Sequence, residues 1–158
     1  MKTTILFVFA ILTAIVVNAH ASTISVESLD RVHVLMQKSA VVELIGEPDG
    51  HDTLDAGLKM EVYRLDAPPL MGAGVIYDEK QCLTGQAYIF TGRGAEKAAE
   101  QLGRIGFTLM DSKQGLFRLE GKDDDSGLPV VVTISETGDL TTLMVFEKAF
   151  YEAHPPRK

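Results

Sequence analysis

The chain has 158 residues, with 22 acidic against 15 basic side chains and a net charge of −7, so no broad basic face is available for nucleic acid phosphates. Its single cysteine, Cys82, excludes an intramolecular disulfide. A hydrophobic content of 46% must instead supply a core, enough for one domain or two small fused units.

In chain order, the first prediction is a cleavable secretory signal over 1–21. Lys2 supplies its positive start, Thr3 to Val17 its apolar run, and Ala19-His20-Ala21 its small-x-small cleavage pattern. Cleavage before Ser22 leaves 137 residues (158 less 21), and loss of Lys2 takes the charge from −7 to −8. The run is short for the roughly 20 residues that span a bilayer, so no transmembrane anchor is expected after cleavage. A disulfide-free exported protein of this size fits a bacterial periplasm.

Ser28 is a candidate cap for a short turn carrying Leu29 and Val32. Gln37 to Ile45 reads as a helix with Val41, Leu44 and Ile45 on one face, stopped by Gly46 and Pro48. Asp49 to Gly57 is turn-rich. Leu58 to Leu65 alternates as a strand, with Met60 and Val62 on one face and Glu61 and Tyr63 on the other. A Pro/Gly loop over Asp66 to Gly72 precedes strands at Gly74 to Asp78 and Leu83 to Thr91. Ala95 to Ile105 is a second helix, striped by Ala98, Ala99, Leu102 and Ile105. Strands follow at Phe107 to Met110, Leu116 to Glu120, Pro129 to Ser135 and Leu140 to Glu147. Ala153 to Lys158 reads as a frayed tail.

The second half repeats the order of the first. Tyr63-Arg64-Leu65-Asp66 answers Phe117-Arg118-Leu119-Glu120, Leu83-Thr84 answers Leu140-Thr141, and Tyr88-Ile89-Phe90 answers Met144-Val145-Phe146. The expected fold is therefore α+β, as two tandem helix-plus-antiparallel-sheet units at 22–92 and 93–152, followed by a flexible tail at 153–158. Residues 37–91 and 95–147 should superpose.

Leu35-Met36-Gln37, then Val41, the short helix and Leu44-Ile45-Gly46-Glu47-Pro48 carry a resemblance. With the strands that follow, Val34 to Phe90 resembles the BamE (SmpA/OmlA) family, whose domain shares its fold with the beta-lactamase inhibitor protein family. The family's usual Gly is Leu35 here, its usual capping Thr is Gln37, and its lipid-bearing cysteine is absent. The resemblance implies a BamE-like unit. A tandem pair of such units looks more like the beta-lactamase inhibitor arrangement, with one concave protein-binding face.

Catalytic chemistry is sparse. His51 with Asp49, Asp52 and Asp55 has metal-ligand residue types, but turns use the same residues to satisfy local backbone donors. Asp123-Asp124-Asp125-Ser126-Gly127 does not fit a calcium loop, because Gly127 is fifth and Ile134 twelfth from Asp123. Cys82 has no neighbouring base in sequence. No phosphate loop, serine elbow or helical zinc motif is present. These features point to a non-enzyme without cofactor or metal that binds a protein partner, as an inhibitor or protective protein acting on another envelope protein. The alternative is an envelope assembly or maintenance factor of BamE type. The candidate partner-binding residues are Tyr63, Tyr88 and Phe90 on a helix-free sheet face, Leu70 and Met71 at a loop tip, and Asp123, Asp124 and Asp125 as a steering loop. Packing between units and a lid on the core are the structural alternatives for these apolar residues.

Overall fold

Side-chain alternation and helical spacing decide most of the elements. The computed structural model describes residues 24–54, 57–113 and 115–155. The predicted signal at 1–21, Asp55 and the end of the tail at 156–158 lie outside the described residues. Helix α1 (Val26–Asp30) is capped by Ser25, not Ser28: the Ser25 hydroxyl accepts from the Ser28 N–H at 3.0 Å. Helix α2 (Lys38–Ile45) buries Val41 and Ile45 and stops at Gly46, where φ is 84°. That left-handed conformation suits glycine.

Eight strands follow: β1 (Gly50–Thr53), β2 (Lys59–Ala67), β3 (Leu70–Tyr77), β4 (Leu83–Thr91), β5 (Thr108–Lys113), β6 (Leu116–Lys122), β7 (Pro129–Thr137) and β8 (Leu140–Glu147). Helix α3 (Ala95–Arg104) separates β4 from β5, and helix α4 (Lys148–Ala153) follows β8. The turn-rich stretch after Pro48 therefore contains a short edge strand, and the residues just before the tail form a helix.

The expected two tandem helix-plus-sheet units are not what the chain builds. All eight strands form one antiparallel sheet in the order β1-β2-β3-β4-β8-β7-β6-β5. The join is the pairing of β4 with β8 over Gly85↔Phe146 to Thr91↔Leu140. Had each half closed separately, β4 and β8 would each have left an edge of unpaired backbone donors and acceptors; pairing them removes both edges. The core crosses the join as well. Val41 and Tyr63 from the first half and Leu102, Leu119, Ile134 and Leu143 from the second belong to one buried cluster.

Helix α3 shows how the sheet finishes the helices. Its N-cap, Gly94, has no capping side chain. Glu136 at the end of β7 accepts from the Ala95 N–H at 3.0 Å, and Thr141 of β8 accepts from the Gly94 N–H at 3.0 Å. Thr141 also donates to the Gly92 carbonyl at 2.8 Å. The apolar stripe Ala95, Ala98, Ala99 and Leu102 is thereby held down on the second half of the sheet.

Helices α1, α2 and α3 pack into the principal cluster, on one face of the sheet. The other face carries a smaller cluster of Met60, Ile76, Ala87 and Phe146, against which α4 lays Phe150 and Tyr151. Two glycines make this second cluster possible. A Cβ at Gly74 would sit 2.5 Å from the Met60 sulfur, and one at Gly85 would sit 2.8 Å from the Phe146 ring. Only glycine lets these large side chains lie flat on the sheet.

Candidate functional site

Period-two alternation places Tyr63, Tyr88 and Phe90 on a common face, but it is the face under the helices. All three are buried, as is Leu70, which pairs with Phe90. Their assignment as partner contacts on a helix-free face is corrected: they are core residues. Each tyrosine hydroxyl has an internal acceptor. Tyr88 donates to Gln86 Oε1 at 2.9 Å, and Gln86 Nε2 donates to the Val32 carbonyl at 2.7 Å, tying α1's exit to β4. Tyr63 donates to the Gly46 carbonyl at 3.4 Å, tying α2's end to β2. Burial above all, then the carboxylates of Glu61, Glu47 and Asp49, pushes the Tyr63 phenol up to about 12. Burial does the same in direction for Tyr88, with Asp30 and Asp123 adding to it.

The proposed loop residues divide. Met71 sits at a register shift between Leu70 and Gly72 and is exposed. Asp123 is buried, because its carboxylate holds its own turn: Oδ2 accepts from the Ser126 N–H at 2.9 Å and the Ser126 hydroxyl at 2.5 Å. Asp124 and Asp125 are exposed. The acidic loop joins β6 to β7 at the Lys122↔Pro129 end of the sheet, whereas Met71 lies at the opposite end, near Thr91↔Leu140. The structure does not bring the two together. In the His51 region, Asp49 accepts from the Arg64 N–H at 2.6 Å and Asp52 from the Thr53 N–H at 2.7 Å, as turn residues do. Among the described residues no group of three His, Cys, Asp or Glu side chains could hold a metal.

A polar centre lies on the helix side of β2. Lys38 of α2 pairs with Glu61 Oε1 and stands 5.5 Å over the Tyr77 ring. Glu61 Oε2 and the Tyr77 hydroxyl are buried without a hydrogen-bond partner. Burial first, then Tyr63 and Glu61, raises the Tyr77 phenol. The ion pair fastens α2 to the sheet and explains why the Glu61 side of β2, and not the Met60 side, faces the helices.

The accessible surface built by the strands themselves is the opposite face. The register lines up side chains across six strands. One row runs Leu116, Ser135, Thr142, Ile89, Gly72, Arg64. The next runs Arg118, Thr133, Met144, Ala87, Gly74, Val62. A third, with Glu120, Val131, Phe146, Gly85 and Ile76, lies where α4 packs: the Tyr151 and Phe146 rings are 5.7 Å apart. The first row is open. Leu116 is 50% exposed, Leu140, next to Thr142 on the same face of β8, is 39% exposed, and Ile89 and Thr142 are partly exposed. In this row and the next, aliphatic side chains are mixed with the hydroxyls of Ser135, Thr142 and Thr133. No internal hydrogen bond engages those hydroxyls among the described residues.

Sequence reasoning missed this face because its large apolar residues are spread over five strands and no single segment reads as a patch. The signal available in sequence was the alternation of Leu140, Thr142, Met144 and Phe146 in β8. One end of the face carries charge. Lys148 pairs with Glu120 at 2.6 Å, and Glu120's hydrogen bond holds the ammonium above the usual lysine range. Around the edge of the sheet an open cleft of about 560 Å³ is lined by Phe107, Met110, Glu120, Lys122 and Pro129.

No family model and no curated protein matches the chain. Among solved structures it is similar to an extracellular protein containing a SCP domain from Bacillus anthracis str. Ames, at 10% identity and a TM-score of 0.47. The likeness covers 92% of this chain and 52% of the other, so this chain spans about half that protein's length.

Proposed function

We propose that this is an exported, non-enzymatic module of the periplasm that binds another envelope protein through the helix-free face of its sheet, as an inhibitor or a protective cap. The observation that carries the reading is the open row Leu116, Ser135, Thr142, Ile89 beside exposed Leu140. Flat surfaces mixing aliphatic side chains with unused hydroxyls suit protein docking, since the apolar groups gain from burial and the hydroxyls find new partners. Export rests on the N-terminal Lys2, apolar run and Ala19-His20-Ala21 pattern. Among the described residues no helix is long and apolar enough to cross a membrane.

The test is site-specific photo-crosslinking in the native host. A photoreactive residue at Thr142 should join to one defined protein, and the same residue at Glu96, exposed on α3, should not. Crosslinks from Glu96 alone, or from neither position, would end this reading.

A second reading is an envelope assembly factor of BamE type. Leu35 favours it: φ there is 70°, a conformation glycine adopts freely, at the position where that family usually has Gly. Co-purification with outer-membrane assembly components would select this reading; their absence would remove it.

A further inference from the structure

We propose that Arg118 is the anchor of the helix-free face and that it receives an Asp or Glu side chain of the partner, from a segment that also carries an apolar residue. The inference rests on the reading of this face as a protein-docking surface and names what the partner must bring to it.

Arg118 stands on β6 between Asp111 of β5 and Thr133 of β7. Both carboxylates near it on this face are already engaged by lysines. Asp111 pairs with Lys113 at 3.6 Å and Glu120 pairs with Lys148 at 2.6 Å. Arg118 joins none of the ion pairs among the described residues. Its Nε is buried and has no hydrogen-bond partner. Its charge also reaches Lys148, opposing protonation of that ammonium while Glu120 favours it. Lys148 thus has two carboxylates, Glu120 and, at 3.9 Å, Glu152, whereas Arg118 has no ion-pair partner among the described residues and one unused N–H donor. A buried donor without an acceptor is costly, and an arginine fork is matched by the two oxygens of a carboxylate.

The surroundings select the kind of anion. Leu116, two residues along the same strand face, is largely exposed, and Met144 lies beyond Thr133 in the Arg118 row. A carboxylate seated on Arg118 therefore has apolar surface on two sides and the Thr133 hydroxyl beside it. An acidic side chain flanked by an apolar residue fits this surface. A polyanion does not: the chain's net charge of −7 repels an extended phosphate backbone. Arginines in such settings are common anchors of protein interfaces.

The test uses the full chain in its native envelope. Arg118→Lys, whose thermal midpoint should match that of the wild type, is treated with a water-soluble carbodiimide. This reagent joins an amine to a carboxylate in direct contact. An isopeptide bond from position 118 to an Asp or Glu of the same protein that crosslinks at Thr142 is the expected result. Coupling to Glu120 or Asp111 of the chain itself would show that internal acids serve this position, and would overturn the proposal. So would the absence of any coupling. In parallel, Arg118→Gln should reduce the Thr142 crosslink, with affinity falling about thirtyfold or more, as at true interface anchors. If the Thr142 crosslink forms equally in Arg118→Gln, the face binds a partner without an acidic anchor and only this proposal fails. If no Thr142 crosslink forms in the wild type, the docking reading itself fails.

Discussion

The two faces of this sheet are made from neighbouring residues of the same strands, yet they do different work. In β4, Phe90 is buried under the helices, whereas Ile89 next to it is only partly covered on the open face. In β8, Leu143 is buried and Leu140 is exposed. One side carries Tyr63, Tyr88, Leu119, Ile134 and three helices; the other carries glycines, hydroxyls and one short helix. Stability is therefore concentrated on the helix-covered side, and accessible chemistry on the other. A strand's alternation assigns residues to faces, but the helices decide which face becomes core.

The widest expected contrast is between adjacent residues. Phe90→Ala should cost ~3–5 kcal/mol, because it opens a cavity in the main cluster. Ile89→Ala should cost only ~1 kcal/mol, since its side chain keeps contact with solvent. Urea denaturation of the pair measures both, and equal costs would erase the distinction between the faces. Gly85→Ala should destabilise by ~1–3 kcal/mol, because the new methyl meets the Phe146 ring. The same denaturation assay reads it, and the loss should shrink in a Phe146→Leu background.

Leu35→Gly should raise stability by ~0.5–1 kcal/mol, an unusual gain for glycine. A left-handed conformation costs a leucine roughly 1–2 kcal/mol, and the exposed side chain surrenders little packing. A lower thermal midpoint would show that the Leu35 side chain contributes contacts that outweigh its backbone conformation.

The smallest effect depends on pH. The Ala95 N–H first, then Arg93, holds the Glu136 carboxyl below the usual glutamate range. Since the folded-state value is the lower one, the stabilisation is complete above the unfolded value. It is lost as pH falls through the folded value. Glu136→Gln should thus lower the urea midpoint at neutral pH and leave a smaller gap near pH 3. A gap that grows in acid would contradict the cap.

Much of the local structure was legible in the chain. β4 and β8 begin and end where their alternation and turns place them, and α3 follows its Ala98, Ala99, Leu102 stripe. Pairing between strands far apart in sequence was not legible. The same two halves that read as separate units join through Gly85↔Phe146 to Thr91↔Leu140, a contact that no local pattern encodes. The face assignment also depended on tertiary partners. On β2 the Met60-Val62 side is the more apolar in sequence, yet Glu61 and Tyr63 go under the helices because Lys38 and the Gly46 carbonyl receive them. Asp123 read as a steering charge because its bond to Ser126 looks, in sequence, like any acidic turn.

The division of labour between the faces can be measured by thiol labelling on a Cys82→Ser background. Leu140→Cys should label rapidly in the folded protein, and Leu143→Cys should label only as the fold opens. Addition of the protein that crosslinks at Thr142 should then slow labelling at position 140 alone. Similar rates at the two positions, or an unchanged rate at 140 with the partner bound, would contradict the claim that the helix-free face is the one this protein offers to others.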